Sequence, residues 1–116
     1  MAIEITTEAV EKSTFVIAAS FLDEDGAAVV PNADTIKWTL TNETGGTVIN
    51  SRLLVAETSA STVNIVLTGN DLEIDSDLDK VRRLVTVQAE YDSNLGSGLT
   101  LKESFYFNVI NLKRIT

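Results

Sequence analysis

The 116-residue sequence contains no cysteine and no histidine. Without cysteine there can be no disulfide framework and no thiolate chemistry. Without histidine the chain lacks both the commonest general base and the commonest metal ligand. A serine nucleophile would need a base beside it, and no Ser-x-x-Lys motif supplies one. These absences predict a protein that is not an enzyme, has no catalytic residues and needs no cofactor.

Long hydrophobic runs are also absent. No apolar stretch approaches the roughly 18 residues of a transmembrane helix, and the first residues lack the basic and apolar segments of a signal peptide. We therefore expect no membrane partner and a protein that is made and used without export. The net charge is −8. Because this charge repels phosphate backbones, nucleic acid is not an expected partner either.

The sequence does contain enough hydrophobic residues for the packed interior of one domain. Hydrophobic residues make up 44% of the chain, which is enough for a single core in a chain of this length. Only one proline, Pro31, and one tryptophan, Trp38, are present. We interpret residues 1–116 as a single domain.

The clearest local pattern surrounds Trp38. From Thr35 to Thr41 the residues alternate, with Ile36, Trp38 and Leu40 on one face and polar side chains on the other. Such alternation predicts a half-buried β-strand. A tryptophan buries a large apolar area, so we expect the core to assemble around this strand.

Similar patterns predict strands along the rest of the chain. They cover Ile3 and Ile5, then Thr14–Leu22, Ala27–Val30, parts of Thr47–Glu57 with a break near Asn50, Thr62–Thr68, Val81–Tyr91 and Leu99–Ile110. Gly69–Leu72 is predicted as one helical turn capped by Asn70. Glu103 falls on an apolar face, which predicts a bulge or an open edge there. About seven short strands and no amphipathic helix predict an all-β, two-sheet Greek-key immunoglobulin-like sandwich.

One acidic run is the sharpest candidate for a binding site. Acidic residues alternate from Asp71 to Asp79, and Asp75, Asp77 and Asp79 are the candidate ligands for Ca²⁺, an ion that takes six to eight oxygens. An EF-hand loop starting at Asp75 would need glycine at its sixth position, where Lys80 stands. It would need a bidentate acid at its twelfth, where Thr86 stands. A solvated loop without metal is therefore the default interpretation.

Three further features have both a structural and a functional interpretation. Asp23, Glu24 and Asp25 precede Gly26 and are typical of a turn, although neighbouring carboxylates can act as an acid/base pair. Asn42-Glu43-Thr44 fits the glycosylation acceptor pattern but also a chance match in a turn. Tyr106 points away from its apolar neighbours, so it is either incidental or an anchor at an interface.

Five segments together carry a family resemblance. The chain resembles small immunoglobulin-like structural proteins of tailed bacteriophages, and the first two segments also resemble bacterial immunoglobulin-like repeats. The segments are Phe21–Pro31, Ile36–Leu40, Thr47–Arg52, Ile65–Leu72 and Arg83–Tyr91. The matching residues belong to the scaffold, so the resemblance implies no site residues.

The resemblance implies a place in the virion. We expect a non-enzymatic structural protein that decorates and cements the capsid, with a neck or tail-associated protein, or a bacterial adhesion module, as the alternatives. The strand Thr14–Leu22 is apolar on both faces, and so much apolar surface predicts protein partners at an edge strand or a symmetric interface. The expected partners are copies of the chain itself, with a trimer as the hypothesis, and the major capsid protein or other virion proteins.

Overall fold

In a computed structural model, residues 2–74 and 80–111 are described. They form eight β-strands and one short 3₁₀ helix, with no α-helix among them. The strands are β1 (Ala2–Glu4), β2 (Ala9–Val10), β3 (Thr14–Ser20), β4 (Lys37–Asn42), β5 (Val55–Ala56), β6 (Thr62–Thr68), β7 (Lys80–Ser93) and β8 (Gly96–Ile110), and the 3₁₀ helix spans Gly69–Leu72.

The strands form two sheets of unequal width. The larger sheet has the order β1-β8-β7-β4-β5, with β2 also pairing with β8, and the smaller sheet consists of β3 and β6 alone. The pairs β3–β6, β4–β5, β4–β7 and β7–β8 are antiparallel, whereas β1 and β2 run parallel to β8. The predicted all-β class with two sheets is therefore confirmed.

The core follows from the alternation along each strand. Buried residues alternate with more exposed ones along β3, β4 and β6 and along parts of β7 and β8, and the buried apolar residues form one hydrophobic cluster to which both sheets contribute. Trp38 is 3% exposed and lies opposite Val87 of β7. Its indole Nε1 donates a hydrogen bond of 3.0 Å to Glu57 Oε1, which satisfies the only polar atom of this side chain. The predicted burial of Trp38 in the core is confirmed.

Three predicted segments differ from the observed ones. Ala27–Val30 is not a strand, because its only bridge joins Ala28 to Leu22 across a turn. Between Thr47 and Glu57 only Val55–Ala56 pair as a strand, since the loop before them turns through residues with positive φ. The 3₁₀ helix is capped by Thr68 rather than Asn70, and the Asp71 carboxylate accepts a hydrogen bond from the Thr68 N–H at 3.0 Å.

The predicted bulge at Glu103 is absent. Glu103 pairs with Val87 in an unbroken register, and the irregularity in this hairpin lies between Tyr91 and Ser93, close to the turn. The alternative prediction, an open edge, stays a prediction, because the position beside Glu103 in this register belongs to residue 1, which lies outside the described residues. On its outer side β8 pairs with β1 at Ser104–Tyr106 and with β2 at Val109–Ile110, so no described strand lies beside it at Glu103.

Replacing Trp38 by alanine should lower the free energy of unfolding by about 3–5 kcal/mol, because the substitution leaves a large cavity between the sheets. Denaturant titration of the purified protein measures this change. Leu95→Ala is the matched control, since Leu95 is 73% exposed in the β7–β8 turn, and it should change stability by less than about 0.5 kcal/mol. Equal stability of the two variants would contradict the packing described here.

Candidate protein-interaction surfaces

The outer side of the β3–β6 sheet presents eight exposed residues, and none of them is charged. We call this surface the uncharged face. It consists of Thr14, Val16, Ala18 and Ser20 from β3, and Thr62, Asn64, Val66 and Thr68 from β6.

Two valines lie at the centre of the uncharged face. Val16 and Val66 are cross-strand partners that are 51% and 47% exposed. Exposed β-sheet surfaces of monomers normally carry charged side chains that keep them soluble. In a chain in which 22% of residues are charged, an uncharged, partly apolar face on a regular sheet is a candidate surface for binding another protein.

A second candidate surface is the loop of residues 47–54, which presents Val48, Leu53 and Leu54 to solvent. The loop is held against β4, because Leu40 N donates to Arg52 O and Ile49 N donates to Leu40 O, both at 2.9 Å. Leu54 has a φ of 51°. This conformation is strained for a leucine and persists only where the surroundings enforce it.

A buried carboxylate also holds this loop. Asp71 Oδ1 accepts hydrogen bonds from Arg52 Nε at 2.7 Å and from Asn50 Nδ2 at 2.8 Å, while Arg52 Nη2 lies 3.3 Å from Asp71 Oδ2. The Asp71 side chain is completely buried, whereas that of Arg52 is 37% exposed. The 3₁₀ helix thus positions the Asp71 carboxylate, which holds the loop through the side chains of Asn50 and Arg52.

These contacts decide the charge state of Asp71. Burial alone raises the pKa of this carboxyl group, but the hydrogen bonds from Arg52, Asn50 and the Thr68 N–H outweigh burial and hold the pKa below its ordinary value. The same contact raises the pKa of Arg52. Asp71 is therefore ionised and fully engaged, so the first member of the predicted acidic run serves the fold.

The other predicted metal candidates, Asp75, Asp77 and Asp79, lie outside the described residues. The carboxylates of Asp23, Glu24 and Asp25 lie within 4.8 Å of one another. Asp23 Oδ1 accepts hydrogen bonds from the N–H groups of Asp25 and Ala27 at 2.9 and 3.0 Å, as a turn residue does. Glu24 accepts a hydrogen bond from the Tyr91 hydroxyl at 2.8 Å. These contacts agree with the turn interpretation.

The remaining sequence candidates also have structural roles. Asn42 Oδ1 accepts hydrogen bonds from Thr44 Oγ1 and from Gly46 N, at 2.9 and 3.1 Å, and thereby closes the turn after β4. Tyr106 is half-buried, and the guanidinium carbon of Arg82 lies 4.9 Å from the centroid of its ring. Arg82 also forms an ion pair with Glu4 of β1. Tyr106 therefore contacts the arginine that pairs with β1, and its role as an interface anchor stays a prediction.

Sequence patterns did not reveal the contact between Arg52 and Asp71. The two residues are 19 positions apart, and neither alternation nor a motif connects them. The uncharged face, by contrast, could be read from the uncharged run between Ser13 and Leu22, which predicts a strand apolar on both sides.

Comparisons of this chain with protein-family models, with curated proteins and with solved structures find no match. Within residues 2–74 and 80–111, no helix is long and apolar enough to cross a membrane.

The buried carboxylate makes stability depend on pH in a defined direction. Because folding lowers the pKa of Asp71, its contribution is complete above the unfolded pKa of about 3.9 and is lost as the pH falls through the lower folded value. Asp71→Asn should therefore destabilise the protein at pH 7 by about 1.5–3 kcal/mol.

The difference between wild type and Asp71→Asn should then shrink progressively below pH 4. Denaturant titrations of both proteins between pH 2 and pH 7 measure it. Glu43→Gln, which alters an exposed carboxyl group in the turn after β4, is the control and should show no comparable difference. A penalty for Asp71→Asn that stays constant down to pH 2 would contradict the assignment.

Proposed function

We propose that this protein is a non-enzymatic structural protein of a tailed-bacteriophage virion that decorates the capsid and stabilises it by binding protein subunits. The proposal rests on the resemblance of its scaffold segments to that class and on its surface. The uncharged face is the observation that carries it, because a regular and uncharged sheet surface is suited to binding protein.

We infer a Greek-key immunoglobulin-like sandwich as the fold behind this role. The order of β8, β7 and β4 in one sheet, facing β3 and β6 in the other, corresponds to the G-F-C and B-E strands of such domains. The only tryptophan lies on β4, the equivalent of strand C, where these domains carry a buried tryptophan. No described strand occupies the positions of strands A and D beside β3 and β6.

Decoration of the capsid is our first proposal, and the chain offers two kinds of surface that would serve it. A decoration protein must bind the capsid and can also bind its own copies, and the uncharged face and the loop of residues 47–54 are two separate surfaces for these contacts. A neck or tail-associated protein is the runner-up, since the same surfaces would serve a ring at the neck or a position along the tail. A bacterial adhesion module is the third candidate.

Cryo-electron microscopy of intact particles tests the location. Density of this chain repeated over the capsid lattice is the expected result. A single ring at the neck, or density along the tail, would overturn decoration in favour of the runner-up. Absence of the chain from particles would remove the virion role altogether.

A surface variant tests the role of the uncharged face. Val66→Glu places a charge at its centre, and desolvating that charge in an interface should weaken binding to particles at least tenfold. Binding of labelled protein to particles that lack it measures the effect. Thr100→Glu is the matched control, because Thr100 is exposed on β8, away from the uncharged face. Equal loss with both variants, or none with Val66→Glu, would contradict the assignment.

Calcium binding by Asp75, Asp77 and Asp79 is the rival function from a different class. An ion present at 100 times its dissociation constant would stabilise the folded state by about 2.7 kcal/mol. We expect the melting temperature to be the same with and without millimolar Ca²⁺. A rise of several degrees that Asp77→Ala abolishes would support a metal-dependent module instead.

A further inference from the structure

The edge of β3 that faces away from β6 has no partner among the described strands. Ser13 O accepts a hydrogen bond from Gly69 N, and Phe21 N donates one to Ser61 O. The odd-numbered residues of β3 therefore direct their backbone groups towards β6, and the even-numbered ones direct theirs to the free edge. No charge or proline on β3 protects this edge. It can accept a further strand.

The outer edge of β1 also has no partner among the described strands, because β1 is the last strand of the larger sheet on this side. Ile5 N donates a hydrogen bond of 2.8 Å to Tyr106 O, so the odd-numbered residues of β1 direct their backbone groups to β8. The backbone of Glu4 therefore points to the free edge. Ile3 lies opposite Phe105, and opposite residues point to the same side of a sheet, so Ile3 faces the interior.

The two free edges form a step in the sandwich. The ring of Phe15 on β3 stacks on that of Phe107 on β8 with centroids 5.0 Å apart, so β3 lies over β8. Strand β1, on the outer side of β8, therefore extends one strand beyond β3. The recess above β1 is an apolar groove lined by Ile3 and Ile5, and Glu103 is the only charged residue in its lining.

Strands β1 and β3 run in opposite directions. Phe15 stacks on Phe107, whereas Leu22, further along the chain, lines a shared cavity with Leu101. The residue numbers thus rise along β3 as they fall along β8, so these two strands are antiparallel. Because β1 is parallel to β8, β1 is antiparallel to β3.

We propose that two copies of this chain form a symmetric dimer in which β1 of each copy pairs with the free edge of β3 of the other. A two-fold axis parallel to the strands, midway between the two sheet layers, places the larger sheet of one copy beside the smaller sheet of the other. Each overhanging β1 then fills the recess beside β3 of the second copy. This pairing does not depend on the proposed virion role.

Backbone and side chains match in this arrangement. On β1 and β3 alike, the odd-numbered residues face the interior, so the free backbone groups on both edges belong to residues whose side chains face outward. Pairing the two edges therefore directs Ile3 and Ile5 of the second copy into the recess, against Ile3 and Ile5 of the first. The opposite phase on either edge would have turned these isoleucines to solvent.

The stacked rings also define the register. Because Phe15 lies over Phe107 and the two strands are antiparallel, Val16 lies at the same height along the strands as Tyr106, the residue that pairs with Glu4. A rotation about an axis parallel to the strands leaves this height unchanged. Glu4 of one copy therefore lies opposite Val16 of the other.

Charge explains why a second copy can meet the first at this step. Copies with a net charge of −8 repel each other, except where the surfaces in contact carry no uncompensated charge. Glu4 forms an ion pair with Arg82 of its own copy. Glu103 lies one position beyond Ser104, where the described pairing of β1 begins, so the added strand leaves its carboxylate at the end of the groove.

The area of the step determines the strength of the dimer. A contact about 13 Å long and about 25 Å around the step buries roughly 300–400 Å² on each copy, which is about half of a standard interface. Interfaces of this size are transient. The dimer should therefore form only at high protein concentration, such as many copies bound side by side would provide.

Blocking the free edge of β3 tests the pairing on the full-length purified protein. The Ala18 N–H points to this edge, so Ala18→Pro removes a donor from the dimer without interrupting the β3–β6 ladder. Asn64→Pro is the matched control, because Asn64 pairs with Ala18 and directs its N–H to the opposite edge of the smaller sheet. Circular dichroism melting verifies that both variants are folded.

Analytical ultracentrifugation up to about millimolar protein measures the association. Wild type and Asn64→Pro should dimerise with similar affinity, and Ala18→Pro should dimerise at least tenfold more weakly. A wild type that is monomeric at every concentration would overturn the proposal, as would equal effects of the two proline variants. Association that appears only after residues 112–116 are removed would assign the groove to the end of the same chain and would also overturn it.

A disulfide tests the register and the symmetry, and it decides the question if Ala18→Pro does not fold. The chain has no cysteine. Glu4 and Val16 lie on opposite outer faces of one copy, so the pair Glu4→Cys and Val16→Cys can bridge only between copies. Opposite residues in an antiparallel ladder are about 5.5 Å apart at Cα, which a disulfide can span.

Oxidation of this double variant should give a covalent dimer closed by two disulfides. The pair Glu4→Cys and Val66→Cys is the control, because Val66 is about as exposed as Val16 and lies one strand further from the added β1. It should give little covalent dimer. Equal yields from the two pairs, or open chains of cross-linked copies instead of closed dimers, would overturn the reciprocal pairing of β1 with β3.

Discussion

The core lies between the two strands of the smaller sheet, β3 and β6, and the larger sheet, of which five strands contribute residues to it. The inner side of the larger sheet carries buried residues on β4, β7 and β8, and only β3 and β6 lie opposite them. Both covering strands must therefore be apolar on their inner faces, and both are edge strands at the same time. Because a sheet of two strands is narrower than its partner, part of the larger sheet is left uncovered beside β3.

The Asp71 carboxylate solves a separate problem, which is how an irregular loop keeps one conformation. Residues 47–54 have few ladder hydrogen bonds, and three of them have positive φ. One buried anion with charge-assisted hydrogen bonds to two side chains of the loop and to the backbone before the 3₁₀ helix compensates for that strain. Because the anion is placed by a helix that follows β6 directly, the position of the loop depends on the smaller sheet as well as on β4.

The sequence predicted the parts of the molecule that depend on alternation. The alternation with a period of two predicts the burial of Trp38 on β4. It also predicts the burial of alternate residues from Val85 to Ala89 on β7 and from Phe105 to Val109 on β8. Prediction was poorest where tertiary contacts decide. Val55–Ala56 pairs with β4 at Lys37 and Trp38, and the loop of residues 47–54 is held by Asp71 through Asn50 and Arg52. No local pattern encodes either contact. The parallel pairing of β1 and β2 with β8 is equally invisible locally, since it joins residues from opposite ends of the chain.

The connectivity of the two sheets implies an order of folding. The β7–β8 hairpin joins neighbouring residues, from Ser93 opposite Gly96 outward, so it closes a short loop and can form early. The β3–β6 pair brings together residues at least 42 positions apart, which costs far more loop-closure entropy. A late closure of this pair leaves the apolar side of the hairpin exposed during folding. Slow closure of this pair therefore favours aggregation of the newly made chain.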